Sequence, residues 1–585
     1  MAYFLRKDKK KNGLYLQIYE NAWVKELKQP RSKCISSIGY VSDLVSDEIP
    51  DPVSYYTEVV NQMNIQRASQ LNDETRPRAF KKSVEKNVGY FLLSSLIDEL
   101  DVKETIDILA SPKKYQFSLY DMICQLIYSR VIAPCSKSRT VSSVFPLLYN
   151  GVEMSEDQVY DGCFFIGSFY QKYIELFNRQ YGKYYERKYD NVYFDCTNYY
   201  FEIDLPYEDK QRGPSKENQN SPIIGQALLL DSDMIPVGMR MYPGNESEKP
   251  YLREAIDEMK QRYNVNGKTI QVADKGLNCA RNIYAAVVES SDGYIFSKSV
   301  HGKNLSKKEK EWVLLENDVN VFENHTDKNG KLLYRLKSCV DTFEYSFEEK
   351  DPDTGMNIVR KFSVKEKRIV SYNPALAEKQ KAEIMRMAAK ACSYVSYRDI
   401  TKEELGESSK YIKVVALDAN GKKTKPEISV NQEKITEDLK FAGYNMLVTS
   451  EIDMNPQEIY SVYHNLWKIE ESFRITKSFL DARPVYVQKK ETIYGHFLIC
   501  YLSLFLLRVL ELKCFKGEVS TYDLIEFIRD FRVVDKGDDT YINISSNQVA
   551  NSKIKKLTGS SLLDALILTK KEIHNLFNNT MLIDP

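Results

Sequence analysis

The stretch Asn191-Val-Tyr-Phe-Asp-Cys-Thr-Asn-Tyr-Tyr-Phe-Glu-Ile203 decides the fold of this chain. β-Branched and aromatic residues dominate it, so it predicts a strand. Residues 223–230 and 235–241 predict two more strands, joined by a hairpin turn at Asp231-Ser232-Asp233. A helix over 250–263, a strand over 269–273, a helix over 280–288 and a strand over 294–296 follow.

This order, three strands and then helix, strand, helix, strand, is that of a ribonuclease-H-like core, although order alone is a weak guide to fold. Residues 301–440 interrupt the pattern with alternating strand segments and one helix, which predicts a mostly β insertion. The core resumes with a strand over 444–450 and one long helix over 456–479. The predicted fold class is therefore α/β, a mixed sheet with flanking helices split by the insertion.

The flanking segments differ from this core in charge and periodicity. Residues 1–40 carry nine Lys and Arg against three Asp and Glu, and residues 41–75 are acidic. The basic run is either a solvated face or an arm that touches DNA phosphates. The predicted divisions are a small basic β module (1–45), a linker (46–87), a helical DNA-binding domain (88–190), the first core part (191–300), the β-rich insertion (301–440), the second core part (441–512) and a C-terminal helical region (513–585).

Composition excludes several classes of protein. The 585 residues suggest several domains at about 150 residues each. With 82 Lys and Arg against 82 Asp and Glu, the chain is not a uniformly basic DNA-coating protein. Ten cysteines without a CxxC pair argue against a zinc ribbon and a disulfide scaffold, and fit a reducing cytoplasm. The longest apolar run, 497–507, is too short to cross a bilayer and predicts a buried helix, so we expect no membrane partner.

Two aspartates lie in positions that suit a ligand site. Asp195 sits within an apolar strand, where a carboxylate is costly unless it is exposed, paired or bound to a cation. Asp274 follows an apolar strand directly, and ligand sites gather at strand ends in open α/β sheets. Each aspartate alone is also explained as a turn former or helix cap.

A third carboxylate lies on the helix predicted over 456–479. On a helical wheel Trp467, Glu470, Arg474 and Lys477 fall within about 40° of Tyr463. An adjoining aliphatic stripe would anchor the helix in the core; it comprises Val462, Leu466, Ile469, Phe473 and Leu480. The polar face is either a surface stripe with a Glu470–Arg474 pair or a metal-binding carboxylate flanked by phosphate-binding cations and rings. Glu471 points off this face, so Glu470 is the preferred ligand.

The three carboxylates together predict a hard-metal site. Carboxylate oxygens without histidine ligands favour Mg²⁺ or Mn²⁺ over zinc. Two such ions about 4 Å apart can activate an attacking oxygen and stabilise a leaving one in phosphoryl transfer.

These residues resemble those of bacterial insertion-sequence transposases of the DDE class. The chain is similar to the branch marked by Tyr-x2-Arg-x3-Glu-x6-Lys, with Tyr463, Glu470 and Lys477 in place and Leu466 where the family usually has Arg. Further similar stretches are Asp195-Cys-Thr, Gly244-Asn245, Asp274-Lys-Gly-Leu277, Arg483-Pro-Val-Tyr486 and Gly495-His-Phe497. The departure at Leu466 removes one expected phosphate contact, which Arg474 would partly replace.

The resemblance implies roles for individual residues. The implied catalytic metal ligands, with two Mg²⁺ or Mn²⁺ ions, are Asp195, Asp274 and Glu470. The implied contacts to transposon-end DNA are Tyr463, Arg474 and Lys477, with Trp467 either stacking near the strand end or packing its helix. The resemblance also implies a homodimer on double-stranded DNA in the bacterial cytoplasm, where it nicks element ends and joins the 3′-hydroxyl to target DNA. A nuclease without strand transfer and a catalytically vestigial DNA-binding protein remain as alternatives.

Overall fold

The protein, described here from a computed structural model, divides into two compact units, Met1–Ser83 and Val84–Pro585. The structure describes residues 3–24, 29–75, 85–214, 216, 221–301, 305–316, 321–351, 354–397, 405–417, 423–546 and 548–583. The architecture is mixed α/β with one large mixed sheet.

The first unit is a three-stranded sheet with a helix. Its antiparallel strands, in the order β1-β2-β3, are β1 (Tyr3–Lys10), β2 (Gly13–Val24) and β3 (Gln29–Tyr40). Its helices are α1 (Val41–Leu44) and α2 (Pro52–Thr75). The linker prediction for 46–87 was therefore wrong over α2. Asn64 exchanges two hydrogen bonds with the backbone of Tyr3, at 2.8 and 2.9 Å, so tertiary contacts fix a helix that its acidic composition conceals.

The second unit holds all the remaining elements. Its helices before the insertion are α3 (Phe91–Glu99), α4 (Lys103–Ala110), α5 (Leu119–Ile132), α6 (Lys137–Arg139), α7 (Glu156–Ser168), α8 (Tyr170–Tyr181), α9 (Lys249–Tyr263) and α10 (Ala280–Tyr284). Those within and after it are α11 (Lys307–Leu314), α12 (Pro374–Tyr397), α13 (Gln432–Lys440), α14 (Pro456–His464), α15 (Trp467–Arg474), α16 (Lys490–Val509), α17 (Thr521–Asp530), α18 (Gln548–Thr558) and α19 (Lys570–Asn579).

The strands of the second unit form three sheets in the described part of the chain. They are β4 (Glu85–Asn87), β5 (Asn191–Tyr200), β6 (Ile223–Leu230), β7 (Pro236–Pro243), β8 (Ile270–Ala273), β9 (Gly293–Lys298), β10 (Glu323–Thr326), β11 (Leu332–Lys350), β12 (Asn357–Tyr372), β13 (Ile412–Leu417), β14 (Lys423–Val430), β15 (Tyr444–Thr449), β16 (Arg532–Asp535), β17 (Thr540–Asn543) and β18 (Ile567–Thr569). The large sheet has the order β10-β11-β12-β15-β9-β8-β5-β6-β7.

The centre of the large sheet is parallel and its flanks are antiparallel. Strands β5, β8 and β9 run parallel, and β6 and β7 continue from β5 as antiparallel neighbours. Every residue of β6 is buried, as expected for a continuous apolar run covered on both faces. Alternate residues of β5 enter different cores: Tyr193 and Tyr199 join the one with α14–α16, and Phe194 joins the one with α9 and α10.

Helix α16 is the central helix of the larger core. The segment Lys490–Cys514 is long and apolar enough to span a membrane, but 94% of its most apolar window is buried inside the protein. That is the environment of a core helix, as predicted for 497–507. It packs against α3, α5, α7 and α8, so the helical segment 88–190 shares one core with the sheet.

Two glycines let α7 and α16 approach closely. A Cβ on Gly167 would overlap the carbonyl oxygen of Glu491, and a Cβ on Gly495 would overlap that of Cys163. Both obstacles are backbone atoms, which cannot rotate away as a side chain would. The helix pair therefore requires glycine at the crossing.

We expect Gly495→Ala to lower the free energy of unfolding by about 1–3 kcal/mol, because the added methyl forces the helices apart. In an exposed helix the same change would stabilise by up to about 1 kcal/mol, so the sign is diagnostic. Urea denaturation measures it. Gly238→Ala is the control, since no atom lies within 4 Å of its Cβ position. A Gly495→Ala protein as stable as the wild type would contradict the close crossing.

Two segments are more mixed than their sequences predict. Residues 301–440 contain the expected helix, α12, and also α11 and α13, and their strands β10–β12 continue the large sheet because Lys367–Tyr372 pairs with β15. Residues 513–585 are not only helical, since β16–β18 form a four-stranded sheet with β4. Both differences depend on strand pairing between distant segments, which local periodicity does not report.

Candidate active site

Asp195 and Asp274 lie side by side on one face of the large sheet. Strands β5 and β8 are parallel, and Phe194 pairs with Ala273 at the last position of their register. Asp195 and Asp274 each follow that pair directly. Neighbouring strands are about 4.8 Å apart, and side chains alternate between faces. Both aspartates thus fall on the face of Tyr193 and Val272, which is the face that α14–α16 cover.

Burial dominates the electrostatics of Asp195. Burial is the largest of the effects that together raise the pKa of this carboxyl to about 6, and the negative charges of Glu248 and Asp274 act in the same direction. Lys216 opposes this shift from 3.8 Å, and the backbone N–H of Cys196 donates to Oδ1 at 2.7 Å. Like charges around a buried carboxylate favour its neutral form unless a cation is added. The carboxylates at this site therefore repel one another, and an added cation would relieve that repulsion.

The helix that carries Glu470 is broken. The sequence predicts one helix over 456–479, but α14 ends at His464 and α15 begins at Trp467. Between them the backbone tightens to i→i−3 bonds, from Leu466 N to Tyr463 O and from Lys468 N to Asn465 O, both 3.0 Å. A π-helical turn, Ile475–Phe479, follows α15. The aliphatic stripe is nevertheless in the core, with Leu466, Ile469, Phe473 and Leu480 buried and Val462 half-buried.

The two adjacent glutamates of α15 have different surroundings. Glu470 is exposed, and its pKa is raised by partial burial and then by the charge of Asp274. Glu471 is buried against Arg508, whose guanidinium donates to its Oε2 at 2.7 Å. Burial alone would raise the pKa of Glu471, but the charges of Arg508 and Lys468 outweigh it and lower that pKa. Glu470 is thus the glutamate within electrostatic reach of Asp274, and Glu471 belongs to an ion-pair network.

Of the four residues predicted to contact DNA, two lie at the carboxylates. The Tyr463 hydroxyl donates to Asp274 Oδ1 at 3.1 Å, and burial followed by the Asp274 charge raises the pKa of this phenol. Lys477 lies 5.3 Å from the ring centre of Tyr199. Burial and then the charge of Lys216 lower the pKa of Lys477 to about 8, against the opposing pull of Asp195.

The other two are at the surface of α15. Trp467 is 49% exposed, so it does not pack its helix into the core, and Lys468 Nζ lies 4.1 Å from its ring centre. Arg474 Nε donates to the hydroxyl of Tyr522 at 2.9 Å. Both side chains remain accessible to a ligand that covers this helix.

The sequence did not single out Glu248. Lys216 Nζ lies 3.3 Å from Glu248 Oε2 and 3.8 Å from Asp195 Oδ1, and it also donates to the carbonyl of Cys196. Glu248 precedes α9 directly, where an acidic residue reads as an ordinary helix start. Only the fold brings Glu248 and Lys216 to Asp195.

The donor set fits a hard divalent cation in chemistry. Asp195, Asp274, Glu470 and Glu248 offer only carboxylate oxygens, which Mg²⁺ and Mn²⁺ prefer. Within the described ranges, no three His, Cys, Asp or Glu side chains converge as they stand on one ion position. Asp274 nevertheless acts electrostatically on both Asp195 and Glu470.

Comparison with protein-family models and with curated proteins finds no match to this chain. The resemblance to DDE transposases thus rests on the residues of the site and on their spacing.

Proposed function

We propose that this protein is a DNA transposase of the DDE class with a ribonuclease-H-like core. One observation carries the proposal. Asp195 and Asp274 directly follow the paired residues Phe194 and Ala273 of two parallel strands, and the charge of Asp274 acts on Glu470, which lies on the helix above them. The strand order β7-β6-β5-β8-β9, with β6 the antiparallel member between β5 and β7, supports a ribonuclease-H-like core.

Each residue of the site has a task in this chemistry. Asp195, Asp274 and Glu470 would hold two Mg²⁺ or Mn²⁺ ions, which supply activation of the attacking oxygen and stabilisation of the leaving one. Tyr463 orients Asp274 through its 3.1 Å hydrogen bond. Lys477 and Lys216 stand beside Asp195 and would bind the phosphates that flank the reacting one. Trp467 and Arg474 would contact DNA along the exposed side of α15.

The cellular setting follows from the same proposal. A transposase acts on chromosomal DNA, so we place this one in the bacterial cytoplasm, as a homodimer on two element ends. All ten cysteines are free thiols, which suits a reducing compartment.

A cleavage and joining assay tests the proposal. The substrate is a duplex that carries the inverted repeats flanking the gene, incubated with a target plasmid and Mg²⁺. We expect Mg²⁺-dependent nicks that expose a 3′-hydroxyl, followed by joining to the plasmid. Pre-cut ends that are bound but never joined would instead identify a nuclease without strand transfer. A chain that neither nicks DNA nor binds Mg²⁺ in a calorimetric titration would be a vestigial DNA-binding protein.

A further inference from the structure

The turn that carries Lys477 ends in backbone carbonyls that basic side chains cover. The turn is closed by a bond from Leu480 N to Ile475 O at 2.9 Å. A second bond joins Ala482 N to Thr476 O at 3.1 Å. The last carbonyls of any helix have no partner within that helix, so those of residues 479–482 need donors from elsewhere.

Three basic side chains from other helices meet these four carbonyls. Arg529 of α17 donates to the first at 2.6 Å, and Arg130 of α5 donates to the second and third at 3.4 Å each. Nε2 of His496, on α16, lies 3.0 Å from the fourth. Cations at the C-terminal end of a helix also offset its dipole. We call Arg130, His496 and Arg529 the carbonyl clamp.

Lys137 determines which nitrogen of His496 carries the hydrogen. Lys137 Nζ lies 3.3 Å from His496 Nδ1, and the Arg130 guanidinium lies 3.5 Å from the same atom. Both charged groups can only donate, so Nδ1 supplies the lone pair. The imidazole is therefore neutral, and its Nε2–H donates to the Ala482 carbonyl. Burial and then the charges of Lys137 and Arg130 also hold the pKa of His496 well below its usual value.

Burying Lys137 costs stability. The residue is 3% exposed, and no carboxylate pairs with it in the part of the chain that the structure describes. Burial and then the charge of Arg130 lower its pKa from 10.5 to about 8. The protonated form present at pH 7 therefore destabilises the fold, and this penalty disappears only as the pH rises through about 8 towards 10.5. A cation kept in a core at such a cost indicates a role other than stability.

Helix α16 also supports the ring beneath Lys477. The Lys477 ammonium lies 5.3 Å from the ring centre of Tyr199, which is fully buried. Phe497 packs against the same ring, at 4.6 Å between ring centres. Two adjacent residues of α16, His496 and Phe497, thus hold both the end of the turn and the ring on which the ammonium rests.

We propose that Lys137 is a positioning residue that acts through His496. It keeps the Nε2–H of His496 on the carbonyl that ends the turn, and so holds the Lys477 ammonium over Tyr199. Lys477 is one of the proposed phosphate contacts, so the inference deepens the proposed function and rests on it for its catalytic consequence. The placement of Lys477 is itself measurable without catalysis.

Two measurements on the full chain, without DNA or Mg²⁺, test this placement. One is hydrogen exchange of the amides of residues 480–482, and the other is hydroxyl-radical oxidation of Tyr199. In Lys137→Met and His496→Leu we expect exchange to be roughly tenfold faster, as for the loss of a hydrogen bond that involves a charged group. Tyr199 should be oxidised faster, because the turn no longer covers its ring.

Conservative and control variants separate positioning from packing. His496→Gln keeps a donor and an acceptor and should exchange within about threefold of the wild type. Lys183→Met removes an exposed lysine after α8 and should leave both measurements unchanged. The midpoint of thermal unfolding should not fall in Lys137→Met, because methionine fills a similar volume and removes a buried charge.

Three results would overturn the inference. One is wild-type exchange and wild-type oxidation of Tyr199 in Lys137→Met. Another is a lower unfolding midpoint with faster exchange throughout α7 and α16, which would make Lys137 an ordinary core residue. The third is His496→Gln exchanging as fast as His496→Leu, which would leave no role for the hydrogen bond.

A nicking assay measures the catalytic consequence. Lys137→Met should slow nicking at saturating DNA roughly tenfold, because a misplaced group loses its alignment with the substrate. Combined with Lys477→Gln it should be no slower than Lys477→Gln alone, since residues that act through one another are not additive. Additive losses would separate Lys137 from Lys477 and overturn the inference. A wild-type chain that does not nick DNA would instead contradict the proposed function, and exchange and oxidation would still decide the placement of Lys477.

Discussion

Glu470→Gln is expected to lower Mg²⁺-dependent nicking and strand transfer by roughly 10³-fold or more, because a bound divalent ion contributes several kcal/mol of charge stabilisation in the transition state. The amide keeps the shape of the side chain but loses its charge. Glu470 is exposed, so the fold should tolerate the change. Binding of an end-containing duplex should stay within about twofold of wild type, since the cations that attract DNA remain.

Two control variants separate this effect from the general effect of removing a negative charge from the protein. Glu518→Gln, at an exposed position of the same unit, should leave both activities intact. Glu471→Gln changes the adjacent residue, and it should lower stability through Arg508 while leaving cleavage detectable at low temperature. Gel assays of nicked and joined products give the result. Normal strand transfer by Glu470→Gln would remove this residue from the proposed metal ligands.

Arg508→Met is expected to lower the free energy of unfolding by about 3–5 kcal/mol, because two buried carboxylates, Glu471 and Glu511, lose the buried cation that lies between them. The Arg508 side chain is fully buried. It donates to Glu471 Oε2 at 2.7 Å and to Glu511 Oε2 at 2.6 Å. It also reaches the Lys468 carbonyl and the Ser472 hydroxyl, both at 3.3 Å. Methionine fills a similar volume, so the loss would report charge rather than a cavity.

Urea denaturation checks this prediction, with Arg179→Met as the control. Arg179 pairs with Glu175 on the surface, where an ion pair contributes about 0.5 kcal/mol or less. Adding Glu471→Gln to Arg508→Met should restore part of the lost free energy of unfolding, because it removes one of the buried negative charges that Arg508 neutralised. The pKa of Glu471 is lowered in the folded chain, so its stabilisation is complete above its usual value of 4.5 and is lost as the pH falls below it. The difference in free energy of unfolding between the wild type and Arg508→Met should therefore become smaller as the pH falls. A difference that stays constant with pH would contradict the ion pair between Arg508 and Glu471.

The same network connects stability to the proposed site. Arg508 lies on α16, and three of its partners, Lys468, Glu471 and Ser472, lie on α15. Helix α15 is short and begins just after a break, so contacts along its own axis cannot fix its orientation. Its ties to α16 and the burial of Ile469 and Phe473 set the direction in which Glu470 points.

Local sequence patterns were enough to predict several elements of the core. The run over β6 predicted a strand with the bounds Ile223–Leu230, and the apolar run 497–507 predicted a buried helix. In both cases one short stretch contains the whole signal. The wheel drawn on 456–479 identified the aliphatic stripe and preferred Glu470 over Glu471, although it assumed a continuous helix that breaks between His464 and Trp467. That break depends on contacts made after folding.

By itself, the sequence determined the order of strands and helices over 191–300, the places of Asp195 and Asp274 at their strands, and a helix at Glu470, because these depend on periodicity and residue type within short windows. Only the tertiary structure decided that β10–β12 extend the sheet, that 52–75 is helical, and that Glu248 and Lys216 stand at Asp195. Those results depend on pairings between residues far apart in the chain. One such pairing places Phe194 opposite Ala273. It brings Asp195 and Asp274, which are 79 positions apart in the sequence, to neighbouring places on the sheet.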